Sequence, residues 1–172
     1  MLSKKIETAM NKQMNLEFYS GYIYLAMAAY FADKNLDGFS HWMRLQAQEE
    51  QIHAMKLYDY ILEREGEVKF LAIKAPTGTW RSPLAACQDA LKHEQTNTKQ
   101  INLLMDLSFK EVDHATRIFL QWFVEEQVEE ESSALALVEK VKMVKDNAGA
   151  MFILDQELSK RQLGAEDTGA AE

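Results

Sequence analysis

Four glutamates and one histidine are the residues of this sequence whose types and spacing can do chemistry. Glu17, Glu50, Glu94 and Glu130 each fall near the middle of a long stretch of helical periodicity, on the stripe that faces inward. Being mid-helix, they share one level of a bundle whichever way each helix runs. Four buried carboxylates repel one another and are costly to desolvate, so some must be protonated or something positive must lie between them. A pair of metal ions is the economical answer. Glu50 and His53 form E-x-x-H, which sets the two side chains about 60° apart on one helix face. A carboxylate oxygen and an imidazole nitrogen placed in this way can bind one ion.

Helical di-iron sites take one Glu from each of two helices and Glu-x-x-His from each of two others. Here the match is asymmetric, because the fourth stretch offers Gln127-x-x-Glu130 instead. One ion then has Glu17, Glu50 and His53. The second, with Glu50 or Glu94 and Glu130, is looser and oxygen-rich. In the run VEEQVEEE, extra acids would ordinarily be a solvated face. Glu126 and Glu129 nevertheless lie beside Glu130, and Glu49 beside Glu50, so these four can form a third, more exposed cation site. Tyr24 and Trp122 are candidate electron donors, although packing explains Trp122 as well. His41, His93 and His114 lack a partner pattern and read as structural or surface residues, and Cys87 reads as a small core residue.

These groups must be positioned by helices. The chain has 172 residues, enough for one domain, with only 7 Gly and 2 Pro to break helices. Four long periodic segments run over about 4–33, 38–65, 82–109 and 113–144, and a short fifth over about 147–161. Ser3, Asp37 and the Ser82-Pro83 pair are expected to start the first three helices, and Gly66 to end the second. The seam of the third helix is expected through Leu84, Cys87, Leu91, Glu94, Thr98, Ile101 and Met105. Short links make the first two and the last two long helices antiparallel hairpins. Between the hairpins lie about 15 residues that can reach roughly 50 Å. The helices are about 40 Å long, so this connection can cross the whole bundle. The expectation is an all-α four-helix bundle with one long crossover and a short fifth C-terminal helix, comprising residues 1–163 and a flexible tail at 164–172. Tyr30, Phe31 and Trp42 are placed on outer faces, where they could serve interfaces.

A formal charge of −8 argues against nucleic acid as a partner, since phosphate binding needs a basic surface. No apolar run approaches the roughly 18–20 residues of a membrane span, and the N-terminus turns polar too early for a secretory signal. A single cysteine cannot build a disulfide framework or a cysteine-rich metal site. Together these point to a cytoplasmic protein.

The segments NLEFYSGYIYLAMAAYF, WMRLQAQEEQIHAMKLYDYI, ALKHEQTNTKQI, FLQWFVEEQVEEE and FILDQELS resemble the helices of bacterial and archaeal non-haem ferritins. The resemblance extends to about residue 161. It implies a ferritin-like fold and a ferroxidase that oxidises Fe(II) to Fe(III) with dioxygen or hydrogen peroxide. It further implies storage of the product as mineral inside a homo-oligomeric shell of twenty-four. By this resemblance Glu17, Glu50 and His53 hold the first iron, and Glu50, Glu94 and Glu130 the second, with Glu50 bridging, Gln127 beside them and Tyr24 near the centre. Glu49, Glu126, Glu129 and Glu130 correspond to a third site. Bacterioferritins carry a second E-x-x-H and a haem-ligating Met where this chain has Ile52, so haem is not expected. Rubrerythrins need a cysteine cluster, and the smaller DNA-protecting ferritins place ligands across a dimer interface. Two further readings are a di-iron enzyme acting on an organic substrate or peroxide and a metal-free structural bundle. The first is disfavoured by seams without a pocket-forming run of small residues.

Overall fold

The computed structural model describes residues 1–164. It is all-helical: α1 spans Lys4–Asp33, α2 Asp37–Glu63, α3 Pro83–Lys110, α4 His114–Val144 and α5 Ala148–Leu158. The starts follow from capping chemistry. Ser3, Ser82, Asp113 and Asn147 each accept a hydrogen bond from the backbone N–H three residues on. α2 differs from expectation, because Leu36 holds its cap position and Asp37 is its first helical residue. There Asp37 favours the helix through its charge near the positive N-terminus rather than by capping. Nor does Gly66 end α2 by adopting a left-handed backbone; Glu65 does that, with φ 57°. Gly66 is required by packing, since a Cβ would approach the Ile61 carbonyl oxygen to 3.0 Å. Apart from Gly164, the expected tail lies outside the described residues.

α1 with α2 and α3 with α4 form the two hairpins, and α1 packs along α3. Gly21 lets α1 lie close to α2 beside Glu50, where a Cβ would stand 3.2 Å from the Ala47 carbonyl oxygen. By contrast, no Cα of α2 comes within 8 Å of one on α4. These two helices meet through long side chains: Tyr60 stacks on Phe119 at 3.8 Å, and Arg64 pairs with Asp113 at 3.0 Å. The bundle is therefore tight on one flank and open to long polar side chains on the other.

The crossover, residues 64–82, runs the length of α1. Near one end Leu2 N–H donates to the Arg64 carbonyl at 3.2 Å, and near the other Trp80 packs against Tyr30 at 5.3 Å. Between them Asn11 and Asn15 act as side-chain rungs. The Asn11 amide donates to the Glu67 carbonyl at 2.9 Å and accepts from Lys69 N–H at 2.6 Å. The Asn15 amide repeats this one turn on with Lys69 and Leu71. Extended backbone without a sheet partner is thus satisfied by one helix face.

Two apolar clusters fill the interior. One gathers Ile6, Met10, Met14, Leu57, Ile61, Ile101, Leu120 and Phe123, and the other Tyr24, Met27, Phe31, Phe39, Met43, Cys87, Leu137 and Val141. Tyr30, Phe31 and Trp42 belong to the second cluster, which corrects their expected interface role. α5 covers Trp42 and its neighbours with Leu154 and Leu158, so a face that would be outer in a bare four-helix bundle is inner here. The exposed apolar residues are others, among them Leu103, Ile118, Val128, Phe152 and Ile153. Cys87 is buried as expected, and burial pushes its thiol up to about 12.

α5 is fixed to α2 by the buried Asp155 carboxylate, which accepts from Phe39 N–H at 3.0 Å. A Cβ on Gly38 would collide with the Asp155 carbonyl oxygen. Gly38→Ala is expected to cost about 1–3 kcal/mol, as overpacking typically does. Denaturant unfolding would read the loss, and amide exchange should rise selectively in α5.

Candidate metal centre

A polar layer separates the two apolar clusters. Glu17 of α1, Gln46, Glu50 and His53 of α2, Glu94 and Asn97 of α3, and Gln127 and Glu130 of α4 are all buried in it. Glu94 is 0% exposed, Glu17, Glu50 and His53 1%, and Glu130 5%. The seams of α1, α2 and α4 therefore run as the periodicity predicts. The seam of α3 is rotated: Ala90, Asn97 and Leu104 are buried, while Leu91, Thr98 and Met105 are only half-buried. α3 packs against both α1 and α4, and its inner face is turned toward Ala90, Asn97 and Leu104.

The carboxylates are oriented by neutral amides. Glu17 accepts from Gln13 Nε2 at 2.7 Å and from Asn97 Nδ2 at 2.9 Å. Gln46 Nε2 donates to Glu130 Oε2 at 2.7 Å. The Tyr24 hydroxyl donates to Glu94 Oε1. Gln127 points at α3, its Nε2 donating to Thr98 Oγ1 at 3.1 Å and its Oε1 lying 3.4 Å from Asn97 Nδ2. It therefore supports the layer from one side. His93, half-buried beside Tyr24, packs edge-on against it at 6.4 Å and is bonded to Ser20 Oγ at 2.7 Å. Asn97 was missed by the seam analysis, although Glu94-x-x-Asn97 repeats the spacing of Glu50-x-x-His53.

What remains is a set of buried acceptors with nothing to accept from. Glu50 Oε1 and Oε2, His53 Nε2, Glu94 Oε2 and Gln46 Oε1 have no hydrogen-bond partner among the described residues. An unpaired buried polar group costs about 1–3 kcal/mol, so five converging on one layer are not a packing accident. Ligand atoms of Glu17, Glu50 and His53 lie within 4.8 Å of one another, as do those of His53, Glu126 and Glu130. His53 is common to both groups. Glu94 stands outside both, held by Tyr24 with its second oxygen open. Glu129 is exposed, and it lines a small recess with Glu49, Glu126 and Glu130.

The electrostatics point the same way. Burial, then the charges of Glu94, Glu17 and Glu130, drive Glu50 well above the usual carboxylate range. Burial, then Glu94 and Glu49, does the same to Glu130. Burial raises Glu17 and lifts Glu94 to about 7. Burial, helped by Lys56, lowers His53 to about 4, leaving the neutral imidazole that a metal requires. Divalent cations would satisfy the open oxygens and nitrogen and remove the repulsion together.

Fold and site define a class: a four-helix bundle whose midplane presents an asymmetric carboxylate and imidazole set suited to a metal pair. The chain belongs to the ferritin family, matching the Ferritin-like domain over residues 7–144. It is 40% identical to a bacterial non-heme ferritin of Bacteroides fragilis over 162 residues, 94% of this chain and all of that one. It is 39% identical to one of Staphylococcus saprophyticus, covering 94% of this chain and 96% of the other. Among solved structures, an engineered closed form of the Archaeoglobus fulgidus ferritin superposes with a TM-score of 0.94 at 49% identity, covering 95% of this chain and all of that one. The open pore ferritin of the same archaeon gives 0.93 at 49% identity, covering 94% and 100%.

The raised carboxylates make metal-free stability depend on pH. A folded pKa above the unfolded value means stability present below about pH 4.5 and lost as pH rises through the folded value. His53 and His93, both lowered to about 4, act oppositely, and only below about 6.5. Above pH 6.5 the carboxylates act alone, so the metal-free chain should lose stability between pH 6.5 and 8. For Glu94, lifted from 4.5 to about 7, the whole loss from acid to alkaline pH is about 3 kcal/mol, of which only about 1 kcal/mol falls above pH 6.5. Glu94→Gln should raise the metal-free melting temperature and flatten this pH profile, as thermal scans with chelator would show. In contrast, Asn97→Ala should weaken divalent-cation binding about tenfold, the usual cost of removing a supporting partner; calorimetric titration with Zn²⁺ measures it.

Proposed function

We propose that this chain is an iron-storage subunit with ferroxidase activity, working in the cytoplasm as part of a homo-oligomeric shell. The observation that carries the reading is the set of unpartnered buried atoms on Glu50, His53 and Glu94. Ferritin membership, and relatives named as ferritins over their whole length, support iron as the cation. Fe(II) is the substrate. Glu17, Glu50 and His53 bind one ferrous ion, and Glu50, Glu94 and Glu130 the second, with Gln127 and Tyr24 placing the carboxylates around them.

Two ferrous ions supply the two electrons that take dioxygen to hydrogen peroxide, or hydrogen peroxide to water. Anionic carboxylates stabilise the added positive charge as ferrous becomes ferric, which lowers the barrier to oxidation. The product ions hydrolyse water and release protons. The second position has one imidazole fewer than a symmetric site would have, so it holds its ion less tightly and favours onward transfer to mineral. Glu126 and Glu129, with Glu49 and Glu130, offer oxygen ligands on the way out. A shell of twenty-four is part of the proposal, supported by similarity to the archaeal ferritins. The exposed Ile118, Val128, Phe152 and Ile153 are candidate contacts in it. No helix among the described residues is long and apolar enough to cross a membrane.

Glu17→Ala and His53→Ala are expected to slow the initial oxidation of two Fe(II) per chain by tenfold or more, on the order of what a lost supporting group alone would cost. Stopped-flow absorbance of the ferric product reads the rate, and unchanged circular dichroism excludes unfolding. Size-exclusion chromatography after loading with excess Fe(II) tests storage. Ferric iron far above three per chain, eluting with a large assembly, is the expected result. Iron held at about two per chain on a small oligomer would favour the di-iron enzyme reading instead.

A further inference from the structure

The recess beside the centre, about 130 Å³ in volume, is lined by Glu49, Glu126, Glu129 and Glu130, yet it also contains a cation of the chain's own. Arg161, just beyond α5, reaches into it. Its Nη2 straddles the Glu49 carboxylate at 2.8 and 3.1 Å, and its Nη1 donates to the Trp42 carbonyl at 3.4 Å. The guanidinium lies over the Trp42 ring at 4.7 Å. The backbone is held as well, since His41 Nε2 donates to the Arg161 carbonyl at 2.9 Å. Arg161 is therefore a latch that joins the segment after α5 to α2.

A second observation points to a cation where the recess meets the inner layer. Buried His53 lies outside the recess lining, but its Nε2 has no partner among the described residues, and a ring nitrogen lies within 4.8 Å of oxygens on two recess acids, Glu126 and Glu130. A divalent cation bound by Glu126 and Glu130 and drawing on Glu49, which lines the same recess, would share it with the guanidinium. Two like charges at such separation repel strongly, and the Glu49 oxygens that a cation needs are those Arg161 holds.

We propose that Arg161 is a displaceable counter-ion of the outer recess, so that a divalent cation binding at Glu49 expels the guanidinium and unlatches the segment following α5. The inference rests on reading the recess as a cation site of the proposed ferroxidase. The empty recess keeps its charge balanced by Arg161 and the filled recess by the incoming ion. Because linkage is reciprocal, whatever holds the latch weakens cation binding, and cation binding weakens the latch by the same factor. The recess is thereby tuned toward weak, transient occupancy, as a transfer position requires.

The test uses Zn²⁺, which has no redox chemistry, on the whole assembly. Calorimetry of the wild type should resolve tighter binding at the inner groups and weaker binding at the recess. Arg161→Gln should tighten only the weaker phase, by about tenfold, the scale of one charge-assisted contact. Lys160→Gln removes the same charge one residue away and should leave both phases alone. In the wild type, Zn²⁺ filling the weaker phase should raise hydrogen exchange in residues 159–164. The proposal is overturned if Arg161→Gln leaves the weaker phase unchanged, if Lys160→Gln tightens it equally, or if residues 159–164 stay protected at saturation. Absence of the tighter phase in the wild type would sink the metal-centre reading, and this inference with it.

Discussion

Like-charge repulsion among four buried carboxylates is the constraint around which this structure is organised. Glu17, Glu50, Glu94 and Glu130 are nearly or wholly removed from water in one layer. No folding argument alone would bring them together, since each loses hydration and gains an anionic neighbour. The layer is tolerable because it lies between two apolar clusters that supply cohesion on either side. Cations entering it would make it favourable. On the proposed function, stability and function are opposed in the metal-free chain and would be aligned in a loaded one, as linkage requires of any ligand that binds only the folded state.

The means of orientation matter as much as the charges. Gln13, Asn97 and Gln46 hold carboxylate oxygens with amide N–H groups, and Tyr24 does so with a hydroxyl. Such donors fix direction without neutralising the carboxylates, so the charge remains available to a metal. Lysine or arginine in the same places would have formed ion pairs and closed the site. Arg161 at the outer recess is the instructive contrast. There the chain supplies a cation of its own, at the rim and not in the buried layer.

The helix arrangement supports this division. α1 lies close to α2 and α3, with Gly21 removing the Cβ that would stand in the way. α2 and α4 stand apart and are bridged by Gln46 with Glu130, and Tyr60 with Thr116. Space for long ligand-bearing side chains comes from that unequal packing. The crossover is tied to α1 by Asn11 and Asn15, which keeps it from the open flank.

The sequence by itself determined the four helices, the crossover, and the level at which Glu17, Glu50, His53, Glu94 and Glu130 meet. Those features follow from periodicity and capping, which are local and repeat along the chain. Tertiary structure decided what local pattern cannot hold. The rotation of α3 that buries Asn97 depends on two neighbours at once. The burial of Trp42 depends on where α5 folds back, that of Tyr30 on Trp80 of the crossover, and the pinning of the crossover on amides more than fifty residues away in sequence. Arg161 reaches Glu49 across 112 residues. Helical period records which side of a helix faces inward, but which groups meet across the interior is set by packing distances that no single helix encodes.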